Sequence, residues 1–177
     1  MALVPGYEFD IFISYAHVDN TPLPGEKERW VEFFYKTLDI MLAKRFGRAD
    51  MVKIWWDDRK LDGSTVFDGS IANGVDRSAL IICLDSPGYA ASTYCQQELD
   101  RFHGKAKAEP FGLQIGDRSR IVHVLLNNIP HDRWPSELQG TTGFPFHNSE
   151  RRDDPGDALD PGSIAFNEQM RDLRDAV

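Results

Sequence analysis

Residues 79–99 read ALIICLDSPGYAASTYCQQEL, the pattern of a buried strand, a turn and an amphipathic helix. Ala79–Leu84 is an apolar run of strand length, and Asp85–Gly88 holds residues that turns prefer. Ser92 suits the N-cap of the helix that carries Glu98. Ligand sites of open α/β sheets lie beyond the carboxyl ends of the strands, so Glu98 is a candidate functional residue. The plainer alternative is a solvated helix glutamate.

The rest of the chain alternates apolar runs with segments of helical spacing. This β-α-β-α-β-α-β order predicts an α/β fold, with a flavodoxin-like open parallel sheet of about five strands and helices on both faces. Loops are expected at Glu109–Arg118 and Asn148–Gly162, and a short helix within Arg133–Leu138. The predicted strands are Glu8–Ser14, Val52–Trp56, Ala79–Leu84, Arg120–Leu126 and Gly143–Phe146, and the predicted helices are Trp30–Phe46, Phe67–Val75, Ser92–Lys107 and Phe166–Val177.

Length and composition predict one soluble domain over residues 1–177. A chain of 177 residues with 41% hydrophobic content can bury a single core. The net charge of −8 argues against direct binding to nucleic acid or a membrane surface, and no apolar run approaches the roughly 18 residues of a membrane span. The two cysteines and the absence of a signal-peptide pattern predict free thiols and a cytoplasmic location.

Motifs for several common chemistries are missing from the sequence. There is no G-x-G-x-x-G or Walker pattern for a redox dinucleotide or nucleoside triphosphate, and no G-x-S-x-G nucleophile elbow. The histidines and cysteines lack the spacing of metal ligands. We therefore expect no metal and no bound cofactor.

Three segments occur together in an order and spacing that carry a family resemblance. Tyr7-Glu-Phe-Asp-Ile-Phe-Ile-Ser-Tyr15 resembles box 1 of the Toll/interleukin-1 receptor (TIR) domain. The segment from Trp56 to Phe67 resembles its BB loop, and Ser92-Thr-Tyr-Cys-Gln-Gln-Glu-Leu99 resembles its Ser-x-Trp-Cys-x-x-Glu-Leu helix. The resemblance covers about residues 7–150 and leaves 151–177 as a loop and C-terminal helix. Ser14-Tyr-Ala-His17 is typical of the bacterial type.

The resemblance implies one of two roles. Many TIR domains cleave NAD⁺ at the nicotinamide–ribose bond and release ADP-ribose or a cyclic isomer, whereas others only assemble with one another. The catalytic glutamate of the first class falls on Glu98. One carboxylate suffices because nicotinamide leaves as a neutral molecule, and the oxocarbenium-like transition state is stabilised by a nearby negative charge.

The resemblance also implies which residues surround the substrate. Tyr94, one helical turn before Glu98, replaces the family's usual tryptophan. Catalytic relatives often carry a basic residue that can reach a phosphate just after Ser-Tyr, where this chain has Ala16 and then His17, a weaker substitute. The plainer alternatives are a core or rim position for Tyr94, an exposed loop position for His17 and a core position for Phe67. The implied substrate-binding residues are Phe12, Ser14, Tyr15, His17, Asp57, Phe67 and Tyr94.

The loop after the second predicted strand has its own two interpretations. It is charged and contains glycine, which is typical of an exposed turn. The resemblance implies instead that it gates the pocket and contacts a neighbouring TIR domain, with Asp62-Gly63 in place of the family's Pro-Gly. The implied assembly residues are Asp58, Arg59, Lys60, Leu61, Asp62 and Gly63.

Trp55 and Trp56 are adjacent in a predicted strand, so their side chains point to opposite faces of the sheet. We expect one of them in the core and the other at the rim of the pocket.

Three functions remain open from the sequence. The first is an NAD⁺ glycohydrolase or cyclase, by resemblance an effector of antiphage defence. The second is a non-catalytic TIR domain that acts by homotypic assembly. The third is a receiver-like phosphoacceptor, which needs an acidic pair where this chain has Ser14-Tyr15. The expected partners are NAD⁺ as substrate, other TIR domains, and a sensor or oligomerisation module that is fused or separate.

Overall fold

The computed structural model describes residues 2–57, 69–151 and 153–177, and its centre is a parallel sheet of five strands. The strands are β1 (Phe9–Tyr15), β2 (Ile54–Trp56), β3 (Ser78–Asp85), β4 (Gln114–Ile115), β5 (Arg118–Ser119), β6 (Ile121–Leu125) and β7 (Phe144–Pro145). The order in the sheet is β2-β1-β3-β6-β7, and every neighbouring pair is parallel. The predicted flavodoxin-like order and the edge position of β7 are confirmed.

Helices cover both faces of the sheet, as predicted. They are α1 (Trp30–Phe46), α2 (Gly69–Asp76), α3 (Pro87–Ala91), α4 (Thr93–Ala108) and α5 (Ile164–Ala176). One core cluster joins the sheet to α1 and α5, and the other joins it to α2, α3 and α4. Successive strand residues alternate between the two clusters because side chains along a strand point to opposite faces. The sheet is therefore buried on both sides.

Helix α1, which follows β1, and helix α4, the longer of the two helices after β3, begin and end near their predicted bounds. Gly47 ends α1 in the left-handed conformation with a φ of 71°, and its N–H bonds to the carbonyl of Ala43. At the N-terminus of α4, the side chain of Ser92 accepts a hydrogen bond from the N–H of Cys95. Both capping residues were predicted from the sequence.

Three local predictions are wrong. The expected turn at Asp85–Gly88 contains the start of α3, because Ser86 caps that helix and Pro87 occupies its first turn. The expected loop at Glu109–Arg118 contains the β4–β5 hairpin, whose tight turn uses Gly116 at a φ of 64°. In place of a helix within Arg133–Leu138 there is a short 3-10 helix at His131–Arg133. Pro135 holds the preceding residue in an extended conformation, which ends it.

The predicted helix Phe67–Val75 corresponds to α2, and Phe67 itself lies outside the described residues. Among the described residues, none of the helices combines the length and the apolar character that crossing a membrane would require.

Candidate active site

A cavity of about 260 Å³ lies at the carboxyl ends of β1 and β2, beside the first turns of α4. This is the edge of the sheet where open α/β folds bind ligands. The carboxyl group of Glu98, the phenol of Tyr94 and the strand-end residue Asp57 all belong to its wall. The described lining residues are Ile13, Tyr15, Ala16, His17, Val18, Trp55, Asp57, Gly88, Ser92, Tyr94, Cys95 and Glu98.

Capping of α3 and α4 determines where the Glu98 side chain lies. Ser86 accepts a hydrogen bond from the N–H of Tyr89 at 3.0 Å, and Ser92 accepts one from the N–H of Cys95 at 3.3 Å. The second cap starts α4 directly above the cavity. Tyr94 and Glu98 are four residues apart on α4, and both line the cavity.

Glu98 is buried, with 8% of its surface exposed, and it has one hydrogen-bond donor within the described residues. The hydroxyl of Ser14 donates to Glu98 Oε2 at 2.5 Å. No cation lies within ion-pair distance of Glu98 among the described residues. Burial raises the pKa of Glu98 to about 8, the Ser14 hydrogen bond acts in the opposite direction, and the charge of Asp57 raises it further. The group is therefore poised to change charge near neutral pH.

A second layer of buried groups surrounds Ser14. Its hydroxyl lies 3.0 Å from the phenol oxygen of Tyr89, a fully buried side chain of α3. Burial raises the pKa of Tyr89 well above its usual range, and it also raises the pKa of the thiols of Cys83 and Cys95. These three groups are neutral at neutral pH, so neither thiol is an activated nucleophile. Glu98 is the group of this cluster that can ionise.

Asp57 and Tyr15 form the wall opposite α4. Both are buried, and the phenol of Tyr15 donates a hydrogen bond to the backbone carbonyl of Asp57. This bond ties the end of β1 to the end of β2. His17 follows at the start of a 3-10 helix, and its ring packs on the Tyr15 ring with centroids 5.0 Å apart. All three line the cavity.

The two adjacent tryptophans divide between the faces of the sheet, as predicted. Trp55 lies on the α2 side and lines the cavity. Trp56 lies on the α1 side, where it stacks on Tyr35 with centroids 5.1 Å apart. Phe12 is fully buried behind Trp55 and stacks on it, with centroids 4.6 Å apart and a 7° interplanar angle. Phe12 thus supports a wall residue and is not itself among the lining residues.

The predicted site residues are therefore only partly brought together. Those that line the cavity are Tyr15, His17, Asp57, Tyr94 and Glu98, whereas Ser14 contacts Glu98 from below. Phe67 and the BB-loop residues Asp58, Arg59, Lys60, Leu61, Asp62 and Gly63 lie outside the described residues.

Several residues of the wall were not predicted from the sequence, among them Val18 and Gly88. Val18 is exposed at the rim, and a Cβ atom at Gly88 would lie 2.6 Å from Val18 Cγ1. A larger residue at this position would therefore push the Val18 side chain away from α3. Tyr89, the partner of Ser14, was missed as well. The Ser86–Pro87 pair, which begins α3, was the signal that could have placed both Gly88 and Tyr89 on a helix.

Metal ligation has no support in the described part of the chain, where no cluster of three or more suitable side chains occurs. Asp85 and His123 are a buried pair of residue types that can bind metals, and their Oδ2 and Nε2 atoms lie 2.8 Å apart. The pair joins the neighbouring strands β3 and β6. Cys83 lies two positions before Asp85 in β3, on the same face of the sheet, and belongs to the core cluster of α2, α3 and α4.

Comparison with known proteins identifies the family. A family model described as the TIR domain matches residues 11–160, and the chain belongs to this family. Among solved structures, it is similar to one described as the activated Roq1 resistosome directly recognizing the pathogen effector XopQ (TIR domains). That match has a TM-score of 0.55 at 14% identity, and it covers 95% of this chain and 98% of the other. At this identity the likeness shows the fold, which is the TIR fold. No curated protein sequence matches the chain.

Proposed function

We propose that this TIR domain cleaves NAD⁺ at the nicotinamide–ribose bond, with Glu98 as the catalytic carboxylate. One observation carries the proposal. Glu98 is buried in the wall of a cavity, its donor in the described part of the chain is the Ser14 hydroxyl, and burial raises its pKa to about 8. A strongly perturbed acid in a cleft is typical of a functional site and not of a solvated helix residue.

The proposed reaction uses a change in the charge of Glu98. The nicotinamide ring of NAD⁺ is a cation, and its arrival beside Glu98 lowers the pKa of the carboxyl group and favours the carboxylate. The hydroxyl of Ser14 then holds the carboxylate in place. As the bond to ribose breaks, both of its electrons leave with nicotinamide, and the positive charge moves to the ribose. Glu98 stabilises that charge.

Two fates of the ribosyl cation follow from this chemistry. Water can add to the anomeric carbon and lose a proton to Glu98, which gives ADP-ribose. A nitrogen of the adenine ring can add instead, which gives a cyclic isomer and needs no water.

We also propose that the domain works in contact with other TIR domains, as an effector in antiphage defence. The cavity of about 260 Å³ lies below the usual range for a drug-sized ligand and is suited to the nicotinamide riboside half of NAD⁺. The remaining half of the dinucleotide then extends beyond the cavity, where a neighbouring domain can contact it. The similar resistosome structure consists of TIR domains of the same fold.

Nicotinamide release from NAD⁺ by the full chain at high protein concentration tests the proposal. Glu98→Gln should reduce the rate about 10²–10³-fold, the usual loss for one group that stabilises transition-state charge. Asp100→Asn is the matched control, because Asp100 is an exposed carboxylate two residues further along α4. The control should keep the wild-type rate.

Three outcomes are informative. An unchanged rate in Glu98→Gln would exclude Glu98 as the catalytic group. A wild-type chain that releases no nicotinamide at any concentration would favour the alternative of a TIR domain that only assembles. A rate per molecule that rises with protein concentration supports the proposed dependence on neighbouring domains, and chromatography of the products distinguishes ADP-ribose from a cyclic isomer.

A further inference from the structure

We propose that the indole of Trp55 is the platform that recognises the cationic nicotinamide ring of NAD⁺ and selects it over neutral forms of the ring. This inference rests on the proposed function, because it concerns the same cavity. It adds a specificity-determining residue on β2, across the cavity from Glu98 on α4.

The packing around Trp55 shows which face of the indole is already covered by its neighbours. Phe12 stacks on one face, almost parallel to it. A Cβ atom at Gly74 of α2 would lie 3.0 Å from Trp55 Cε2, 3.1 Å from Trp55 Cδ2 and 3.2 Å from Phe12 Cε2. Because Cδ2 and Cε2 form the bond shared by the two indole rings, this approach comes from a face and not from an edge. Its closeness to Phe12 places it on the face that Phe12 already covers.

Phe12 and Gly74 lie on this one face, so they leave the opposite face of Trp55, a residue of the cavity wall, uncovered. A ring that is held by Phe12 and by the backbone of α2 keeps a fixed orientation. A fixed aromatic plane beside a cavity loses little conformational freedom when a flat ligand stacks on it. Trp55 therefore forms a preorganised surface for a planar ring.

The chemistry of the indole favours a positively charged partner. Cations are attracted to the faces of aromatic rings, and tryptophan gives the strongest interaction of the natural side chains. The nicotinamide ring of NAD⁺ carries a positive charge, whereas free nicotinamide and the reduced dihydronicotinamide ring are neutral. Trp55 should consequently bind the oxidised substrate better than its reduced form, and it should release the neutral product.

Trp55 and Glu98 act at different stages of the proposed reaction. Trp55 stabilises the charge while it resides on the ring of the bound substrate, and Glu98 stabilises it once it has moved to the ribose. An interaction that is made with the bound substrate and lost in the transition state lowers KM and kcat by the same factor and leaves kcat/KM unchanged. Loss of Trp55 should therefore raise KM and kcat together.

Steady-state kinetics on Trp55→Leu test this division of roles. We expect KM for NAD⁺ to rise about 3–30-fold, the range of cation–π contacts, with kcat raised by a similar factor. Trp55→Phe should give a smaller rise. Trp56→Phe is the matched control, because Trp56 is its neighbour on the opposite face of β2. An equal KM in Trp55→Phe, Trp55→Leu and the wild type would overturn the proposal, and so would a fall in kcat alone.

A binding measurement tests the role of Trp55 independently of whether the protein cleaves NAD⁺. Glu98→Gln protein is titrated with 1-methylnicotinamide, a pyridinium cation without a ribose, while tryptophan fluorescence is recorded. We expect the cation to quench the fluorescence more strongly than neutral nicotinamide does. The quenching should be lost in Glu98→Gln/Trp55→Phe and retained in Glu98→Gln/Trp56→Phe. Equal binding of the cation and the neutral compound would overturn the proposal. Quenching by ADP-ribose but not by the cation would also overturn it, because Trp55 would then hold the adenine ring.

Discussion

The two ends of the parallel sheet both bury carboxylates, but they surround them differently. At the amino end, Asp10 accepts hydrogen bonds from the backbone N–H groups of Val4 and Lys53, each at 2.8 Å. Nearby, Glu109 pairs with the buried guanidinium of Arg120 at 2.8 Å. At the carboxyl end, Glu98 has the hydroxyl of Ser14 as its donor and no cation among the described residues.

The pKa shifts of the two glutamates have opposite signs because their partners differ and because Glu98 is buried whereas Glu109 is only partly buried. Burial alone would raise the pKa of Glu109, but hydrogen bonds from Tyr7 and Arg120 and the charge of Lys105 outweigh it, and the net pKa is lowered. Burial dominates at Glu98 and raises its pKa to about 8. The amino end therefore stabilises charge in the resting protein, whereas the carboxyl end holds an acid without full compensation. Such local costs are typical of functional sites.

The largest expected effect on stability comes from removing the buried cation at the amino end of the sheet. The guanidinium of Arg120 also donates to the backbone carbonyls of Ala79 and Gly112, so it joins β3 to the loop before β4. Arg120→Ala should lower the free energy of unfolding by about 3–5 kcal/mol, because it leaves these partners buried without a donor. Urea unfolding measures the loss, and Arg118→Ala, at an exposed position, is the control with an expected loss below about 1 kcal/mol. A small loss in Arg120→Ala would show that the amino end does not depend on this ion pair.

At the carboxyl end of the sheet, replacing Glu98 should raise the stability of the protein and not lower it. The pKa of Glu98 rises from an ordinary value of 4.5 to about 8 in the folded protein. Its contribution to stability is thus fully present below about pH 4.5 and is lost as the pH rises through about 8. Glu98→Gln should therefore be more stable than the wild type by about 2–4 kcal/mol at pH 8, and equally stable near pH 4.5. Thermal or urea unfolding at the two pH values checks this, and a difference that does not depend on pH would contradict the assigned pKa shift.

The smallest expected effect is on the pH dependence of the reaction, and it concerns the hydrogen bond from Ser14 to Glu98. The value of kcat/KM should rise with pH up to about 8, because the reaction needs the carboxylate form. Ser14→Ala removes the hydrogen bond that lowers the pKa of Glu98, so the midpoint should move to higher pH by about one unit. Ser86→Ala is the control, since its hydroxyl contacts Asp19 and the backbone of Tyr89 but not Glu98. A midpoint that stays in place in Ser14→Ala would show that this donor does not tune the acid.

Much of the fold and part of the site follow from local sequence signals. The apolar runs predicted the strands, Gly47 predicted the end of α1, and Ser92 predicted the start of α4. The spacing of Tyr94 and Glu98 placed both on one face of a helix, and the structure finds both in the wall of the cavity. These features depend on residues close together in the chain, so a single sequence is sufficient to predict them.

The remaining features depend on contacts between distant segments. Nothing within the sequence around Tyr89 indicates that its phenol meets Ser14, which is 75 residues away. The role of Arg120 is similar, because its partner Tyr7 lies 113 residues away. Phe12 was predicted at the pocket, but its stacking on Trp55 places it behind the wall, and only tertiary packing decides which of two aromatic neighbours faces the cavity.

The hydroxyl groups beneath Glu98 have a consequence for how the site changes charge. When Glu98 is ionised, Ser14 donates to it and Tyr89 can donate to Ser14. When Glu98 is protonated, each of these bonds can reverse, with Glu98 donating to Ser14 and Ser14 to Tyr89, whose phenol can turn to the carbonyl of Cys95 at 3.5 Å. Both protonation states then satisfy every hydroxyl with the same heavy-atom positions. Glu98 can gain or lose a proton when the hydroxyl hydrogens of Ser14 and Tyr89 rotate, without any rearrangement of the fold around it.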